Sequence, residues 1–427
     1  MDKSAQDWVD QIKGGRGMSR PGDDLDGLVA SLASRVREYK VFLSKSTGAE
    51  QATKGRFQRA RVIKAAQQII SAVRPPTDQW LEHGHHAVIF TAVRLYIKWR
   101  VFPAIPIDGQ VGMDALAEKT GVDVALLTRI AWVLVGAGIL SQKENQLAHT
   151  PRSEVYATVN PFAAMTQMVF DDLLTGFVAM PKYFELHGRK EPTDKQLSIT
   201  AFAEGAPGLS FWEVMNRDPE RMKNFMTCMG TIDAMIPITG SYHFGWVGER
   251  AKSPNCPRDR MLLVDVGGAQ GKAIMAICGE TPGIDRTRCV LQDLPEVIQE
   301  ARLQNYPGLD GIRMVEADFF HEQPVKGALV YYIRRCVHCY NDNDCVTILR
   351  NQAEAMADDS RLLITEKIIE DIPPVEVAMI DFYMLCLGGK ERTIEGFEMI
   401  TSRAGLKIIG VHGGKGMPIS VIECMKV

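Results

Sequence analysis

Hydrophobic and polar positions follow two different periods along this chain, and the change of period marks a change of architecture. Leu25, Leu28, Val29, Leu32, Val36 and Phe42 or Leu43 recur at helical spacing. That stripe predicts an amphipathic helix whose apolar face needs another chain or a distant element as cover. A second helical pattern runs from Phe57 to Val73 and stops at Pro75-Pro76, where proline ends the hydrogen-bond ladder. A third, His85 to Val101, is apolar nearly all round, so deep burial is expected. Met113 to Lys119 and Asp123 to Val135 are two short helices around the tight turn Thr120-Gly121-Val122. A polar-tipped hairpin follows over Ile139 to Thr150, and that order is a winged helix-turn-helix pattern. Phe162 to His187 and Phe211 to Gly240 read as mainly helical and are rich in Met and Phe.

From Met261 onward short apolar runs alternate with helical patterns. Strands are expected at Met261–Val266, Arg288–Leu291, Ile312–Glu316, Ala328–Ile333, Arg361–Glu366, Lys407–Val411 and Ile419–Met425. Helices are expected at Lys272–Cys278, Glu296–Gln304, Asp342–Ala357, Val375–Cys386 and Thr393–Ala404. Uninterrupted apolar runs of this length read as buried parallel strands, and their alternation with helices predicts an α/β, Rossmann-like domain. The expected organisation is a flexible tail over 1–22, a helical and winged-helix region over 23–155, a helical pocket segment over 156–250 and the α/β domain over 251–427.

Bulk properties narrow the partners. The chain has 427 residues, enough for two or three domains. A net charge of −3 gives no strong pull toward nucleic acid or an acidic membrane. The second helix of the winged pattern, VDVALLTRIAWVLVG, carries a single Arg and a single Asp. Reading bases and gripping phosphates needs more than that, so packing or dimerisation is the expected role. The first twenty residues contain no apolar core of a secretory signal, and no stretch is long enough to cross a bilayer. Nine scattered cysteines suit free thiols in a reducing compartment, so a cytoplasmic location is expected.

The α/β region opens on the motif Asp265-Val266-Gly267-Gly268-Ala269-Gln270-Gly271. Glycines let a backbone turn sharply and let a ligand lie against it. A dinucleotide fingerprint would place its next glycines at Ala269 and Lys272, so that spacing fails. Asp293 follows the next strand, and a carboxylate there can accept two hydrogen bonds from ribose hydroxyls. Three further residues sit at or beyond strand ends, where open parallel sheets place their ligand sites. They are His338, Glu366 and Glu391. An imidazole can take a proton from a phenol-like hydroxyl, and one carboxylate can orient it while another positions base or substrate. Each alone is also accounted for as a polar group facing water; their shared placement favours chemistry.

The Met and Phe segments offer a pocket wall. Met165, Met168, Phe225 and Met229 are candidates, although most such residues serve as ordinary core; methionine sulfur suits flat organic rings. Cys336-x-x-Cys339 with His338 and Cys345 has a superficial zinc-site look. Its cysteines fall at a strand exit and in a helix rather than on facing knuckles, so no metal is expected. His83, His85 and His86 stand at a helix start and read as surface or packing residues.

The motifs DVGGAQG, QDLP, CVHCYNDNDCVTILRN and GGKERT together resemble the class I S-adenosylmethionine-dependent O-methyltransferases, of the plant caffeic-acid type and their fungal relatives. The resemblance covers nearly all the chain beyond the first two dozen residues. It implies a methyltransferase domain with S-adenosyl-L-methionine as cofactor and a helical, winged-helix dimerisation domain, hence a homodimer. Cofactor contacts would fall on Gly267, Asp293, Asp318, Phe319 and Arg334, the last replacing a family Lys. Asp265, Gly268, Gly271 and Leu294 complete the same candidate site through the turn and the DLP motif. His338 would be the general base, flanked by Glu366 and Glu391, acting on a small aromatic or enolic hydroxyl.

Two departures stand out. Ala269 replaces a glycine, a change expected to be mild. Cys339 replaces the Asp after the base and removes a carboxylate from the substrate side. Some fungal relatives of this family keep the cofactor without transferring its methyl and catalyse dehydration or pericyclic ring formation on polyketide-derived substrates. Cys339 keeps that alternative open. A winged-helix regulator with a vestigial enzyme domain is a distant third.

Overall fold

The computed structural model describes residues 24–46, 49–157, 161–413 and 419–427; the expected tail over 1–22 lies outside them. The chain divides into two compact units, Met1–Val93 with Arg129–Ala137, and Arg94–Thr128 with Gly138–Val427.

In the first unit, helices α1 (Leu25–Lys45) and α2 (Ala49–Val73) pack along each other. An Arg61–Glu38 ion pair at 3.0 Å ties them. No residue of α1 is buried. The amphipathic pattern predicts that helix; Leu25, Leu28, Leu32, Val36 and Phe42 of its stripe are half-buried, and Val29 and Leu43 are exposed. The third helix, α3 (Gln79–Lys98), starts earlier than its apolar pattern suggested. Its expected deep burial, over His85 to Val101, holds only for the later part: Ala92, Val93, Arg94 and Tyr96 are buried, whereas Val88 is 52% exposed. An apolar pattern shows which residues seek cover, not whether cover is within the same chain.

The second unit begins with a small three-stranded antiparallel sheet in the order β1-β3-β2, formed by β1 (Gln110–Gly112), β2 (Leu140–Lys143) and β3 (Gln146–His149). Helices α4 (Met113–Thr120) and α5 (Val124–Gly136) lie between β1 and β2 in sequence, and Gly121 ends α4 at φ 70°. The hairpin and both helices were legible; β1 was not, because three residues carry too little alternation. Next come α6 (Pro161–Met168), a π-helical turn at Val169–Leu174, α7 (Thr175–His187), α8 (Phe211–Met215) and α9 (Pro219–Met235). In the π turn, Asp171 binds Arg94 at 2.6 Å and Asp172 binds Arg221 at 2.5 Å. Asn224 of α9 donates to the Ala164 carbonyl of α6 at 3.2 Å, joining these two helices.

The main sheet has seven strands in the order β6-β5-β4-β7-β8-β10-β9. They are β4 (Leu263–Val266), β5 (Cys289–Asp293), β6 (Arg313–Glu316), β7 (Val330–Arg334), β8 (Arg361–Glu366), β9 (Leu406–His412) and β10 (Ser420–Lys426). The first five are mutually parallel, and β10 is antiparallel to both its neighbours. Helices α10 (Gly245–Lys252), α11 (Lys272–Glu280), α12 (Pro295–Gln304), α13 (Asp342–Ala355), α14 (Val375–Leu387) and α15 (Ile394–Arg403) accompany it. Two apolar clusters involve the sheet, one with Val264, Ile333 and Ile364, the other with Leu263, Leu291 and Val330. Neighbouring residues of one strand thus fall into different clusters, as the pleat requires. The strand order reverses at β4 and β7, which opens a crevice beyond their C-terminal ends. No described helix is long and apolar enough to cross a membrane.

Candidate active site

Beyond β4, the turn from Gly267 to Gly271 is built from left-handed residues. Gly267 has φ 69°, Ala269 48° and Gly271 74°. The N–H groups of Gly267 and Gly268 donate to the Gln292 carbonyl at 2.8 and 3.1 Å. A Cβ on Gly268 would stand 2.5 Å from Leu291 and 2.7 Å from Asp265, so packing requires glycine here. A Cβ on Gly267 would approach Cys336 at 3.0 Å and the Phe319 ring at 3.3 Å.

The two acids of this region shape the turn. Asp265 is buried and accepts from the Ile274 N–H at 3.2 Å. Burial pushes its carboxyl up to about 7, against the pull of that N–H. Asp293 accepts from Ala269 N–H through one oxygen and from Leu294 N–H through the other, both at 2.8 Å. Burial raises it as well. Each Asp293 oxygen keeps a second lone pair, so the residue can still receive a ribose hydroxyl. Asp318 accepts from Phe320 N–H at 2.9 Å. Arg334 donates to the Ile236 carbonyl at 3.3 Å. Leu294 is partly exposed at the start of α12.

His338 lies on a 3₁₀ turn, Val337–Cys339, just after β7, and is 8% exposed. Its Nδ1 meets Glu391 Oε1 at 2.8 Å and lies 3.8 Å from Glu366 Oε2. The Cys339 thiol lies beside the ring. Glu366 ends β8, and its Oε1 accepts from Val337 N–H at 2.8 Å and His338 N–H at 3.3 Å. One acid therefore holds the backbone of the turn and the other holds the ring. The second oxygens of both, Glu366 Oε2 and Glu391 Oε2, are buried without a hydrogen-bond partner. Burial opposes charge on the imidazole, but Glu366, Cys339 and Glu391 outweigh it and raise the ring well above its ordinary value. Burial likewise raises Glu366.

A second side of the turn is aromatic. Trp212 stands beside Tyr340, whose ring meets Phe319 and Phe320 edge-on at 5.7 and 5.3 Å. Trp212 in turn meets Phe225 edge-on at 5.6 Å. Phe225 and Cys339 are thus linked to the His338 turn, one through Trp212 and Tyr340, the other directly. Met168 is buried on α6, and Met165 and Met229 are half-buried on the joined helices α6 and α9. Two open clefts, of about 540 and 360 Å³, are not lined by His338; the first is lined by Ser34, Phe42 and Gln58 and the second by Tyr242, His412 and Glu423.

The sequence pointed to His338, Glu366 and Glu391 and missed what fixes them. Asp381 accepts from Glu391 N–H at 2.8 Å. Gly389 passes so close beneath the turn that a Cβ would sit 2.2 Å from the His338 carbonyl. The GGKERT motif carried a signal for Gly389, and none for Asp381.

A family profile described as an O-methyltransferase domain matches residues 192–407. The chain belongs to the O-methyltransferase family. Methyltransferase pvhD of Talaromyces variabilis is 39% identical over 332 residues, covering 78% of this chain and 91% of that protein. Among solved structures, OxaC in complex with SAH and oxaline superposes with a TM-score of 0.83 at 23% identity, over 95% of this chain and 100% of that one. LepI in complex with SAM gives 0.73 at 21%, over 93% and 99%. These two establish a shared fold. As an O-methyltransferase the protein is an enzyme whose methyl donor is S-adenosylmethionine. The glycine cradle against Phe319 and the remaining lone pairs of Asp293 fit that donor.

Proposed function

We propose that the enzyme methylates a hydroxyl or enol oxygen of a small aromatic or enolic secondary metabolite, with His338 as general base. The observation that carries this is the 2.8 Å contact between His338 Nδ1 and Glu391 in a nearly closed site. With Nδ1 engaged by a carboxylate, Nε2 is left as the atom that accepts the acceptor's proton. Glu391 then stabilises the cation that forms, and Glu366 keeps the turn in place. S-adenosylmethionine supplies an electrophilic methyl on a good leaving group. The chain's own contribution is to align the oxygen, remove its proton and exclude water. Gly267, Gly268, Gly271, Asp293 and Leu294 would cradle the donor, with Asp265 beneath the turn and Asp318, Phe319 and Arg334 around it. Met165, Met168, Phe225, Met229 and Cys339 would line the acceptor pocket.

We further propose that residues 23–155 form a winged-helix dimerisation domain and that the enzyme is a homodimer. The exposure of Phe57 (67%) and Trp80 (70%) supports this, since such large apolar surfaces mark interfaces. The boundaries 156–250 for the pocket segment and 251–427 for the donor-binding domain belong to the same reading.

One observation favours a second reading. Cys339, beside the His338 ring, stands where the family places an Asp. A site without that carboxylate suits a donor-retaining pericyclase or dehydratase, in which His338 moves a proton and no methyl is transferred. Incubation of phenolic and enolised 1,3-dicarbonyl acceptors with methyl-labelled S-adenosylmethionine separates the two. Label in the product supports methyl transfer; a new product without label supports the second reading.

A further inference from the structure

The loop that carries Glu391 grips the His338 turn at more points than the ring contact alone requires. Lys390 N–H donates to the His338 carbonyl at 2.9 Å. Arg392 donates to the carbonyls on both sides of His338, through Nη1 to Val337 at 3.2 Å and through Nη2 to Tyr340 at 2.8 Å. Nη1 also donates to the Lys390 carbonyl at 3.1 Å, within its own loop. Nε and Nη2 meet Asp342 Oδ1 at 3.0 and 2.9 Å. All five donors of a guanidinium therefore have acceptors, in a side chain that is 1% exposed. The far oxygen of Asp342 binds Lys390 Nζ at 2.8 Å. Lys390 and Arg392 hold the Asp342 carboxyl below its ordinary value, against the effect of burial. The backbone of Arg392 is fixed too, since its carbonyl accepts from Ile369 N–H at 3.0 Å.

Burying an ion pair costs several kcal/mol of desolvation, and replacing one by apolar residues is often neutral or stabilising. α13 already has its N-cap in Asn341, whose side chain accepts from Asn343 and Asp344, so Asp342 is not needed to start that helix. What the pair does distinctively is join the turn bearing His338 to the loop bearing Glu391, residue against residue. We propose that Arg392, anchored by Asp342, is a positioning residue that sets the distance between His338 and Glu391. A planar fork can span the Val337 and Tyr340 carbonyls while holding a carboxylate; an ammonium is a point charge and cannot. This inference rests on the reading of His338 as the base.

The test uses the full chain with S-adenosylhomocysteine bound and needs no acceptor. Arg392→Lys keeps the charge, so a change in the His338 ring reports geometry. The ¹⁵N signals of the His338 imidazole, assigned by their loss in His338→Gln, are followed against pH. The expected result is a ring that titrates about one pH unit lower, a roughly tenfold loss of proton affinity. S-adenosylhomocysteine affinity, measured by calorimetry, should change less than about threefold. Asp342→Glu keeps both charges and lengthens the tether by one methylene; it should move the ring in the same direction, and it decides the matter if Arg392→Lys does not fold. A ring that titrates as in the wild type in the folded variant overturns the inference. Persistent label transfer by His338→Gln would instead overturn the base assignment and leave the geometric result readable on its own.

Discussion

Glu391 Oε1 reaches His338 Nδ1 at 2.8 Å across 53 residues of sequence, and the first prediction follows from that contact. Replacing His338 by Gln removes the base while keeping a side chain of similar reach. Methyl transfer should fall by about 10²–10⁴-fold, the usual contribution of a positioned acid or base. Calorimetric affinity for S-adenosylhomocysteine should stay within about twofold, because the donor cradle lies on another strand end. Parallel loss of both would assign His338 a structural role.

The pH profile should bend on the alkaline side of an ordinary histidine. Glu366, Cys339 and Glu391 raise the ring despite the burial that opposes its charge. A base must be neutral to accept a proton, so the rate should rise with pH through an inflection well above 6.5. Glu391→Gln removes one of the raising partners. Its inflection should move down toward the ordinary value, with a lower plateau because the ring is less well oriented. A mutant inflection unchanged from wild type would mean that Glu391 does not govern the ring's proton.

Gly389→Ala should be among the most damaging single-methyl changes in the chain. The added Cβ would stand 2.2 Å from the His338 carbonyl oxygen and 2.5 Å from the Cys339 carbonyl carbon, both backbone atoms that cannot swing aside. Overpacking of this kind costs about 1–3 kcal/mol, and relief would push the His338 turn off Glu391. Urea denaturation and label transfer should both report the change. A variant of normal stability and rate would place the loop elsewhere.

Ala269→Gly should be neutral to stabilising. Ala269 holds φ 48°, where a Cβ costs about 1–2 kcal/mol; glycine returns part of that gain as extra freedom in the unfolded chain. The melting temperature should stay level or rise slightly, and a clear fall would show that the methyl group contributes packing.

Much of the architecture was legible because it is periodic. The five parallel strands and the helices among them were placed within a few residues, since buried parallel strands are apolar throughout and stop at glycine or acidic turns. Less legible was anything that depends on a partner from elsewhere in the chain. The left-handed conformation of Ala269, with φ 48°, is not visible in the sequence, although the change from glycine reads there as mild. The sequence places Asp265 and Asp293 at the ligand site but does not show that their carboxylates also accept backbone N–H groups, of Ile274 for the first and of Ala269 and Leu294 for the second, because a carboxylate's sequence position does not tell which donor it will meet. The π turn at Val169–Leu174 disturbs the helical period too briefly to show in the pattern. Arg392 stood inside a recognised motif, yet its function depends on five acceptor contacts that only tertiary folding brings together.

In the sheet register, Ser420 of β10 lies opposite Glu366 of β8. The strand that ends in the backbone-holding acid is therefore flanked on one side by a segment synthesised more than fifty residues later. A chain truncated before Ser420 would present β8 as a bare, apolar strand edge, ready to pair with any neighbour. Premature stops and C-terminal frameshifts should thus be felt first as insolubility, with lost catalysis following from it.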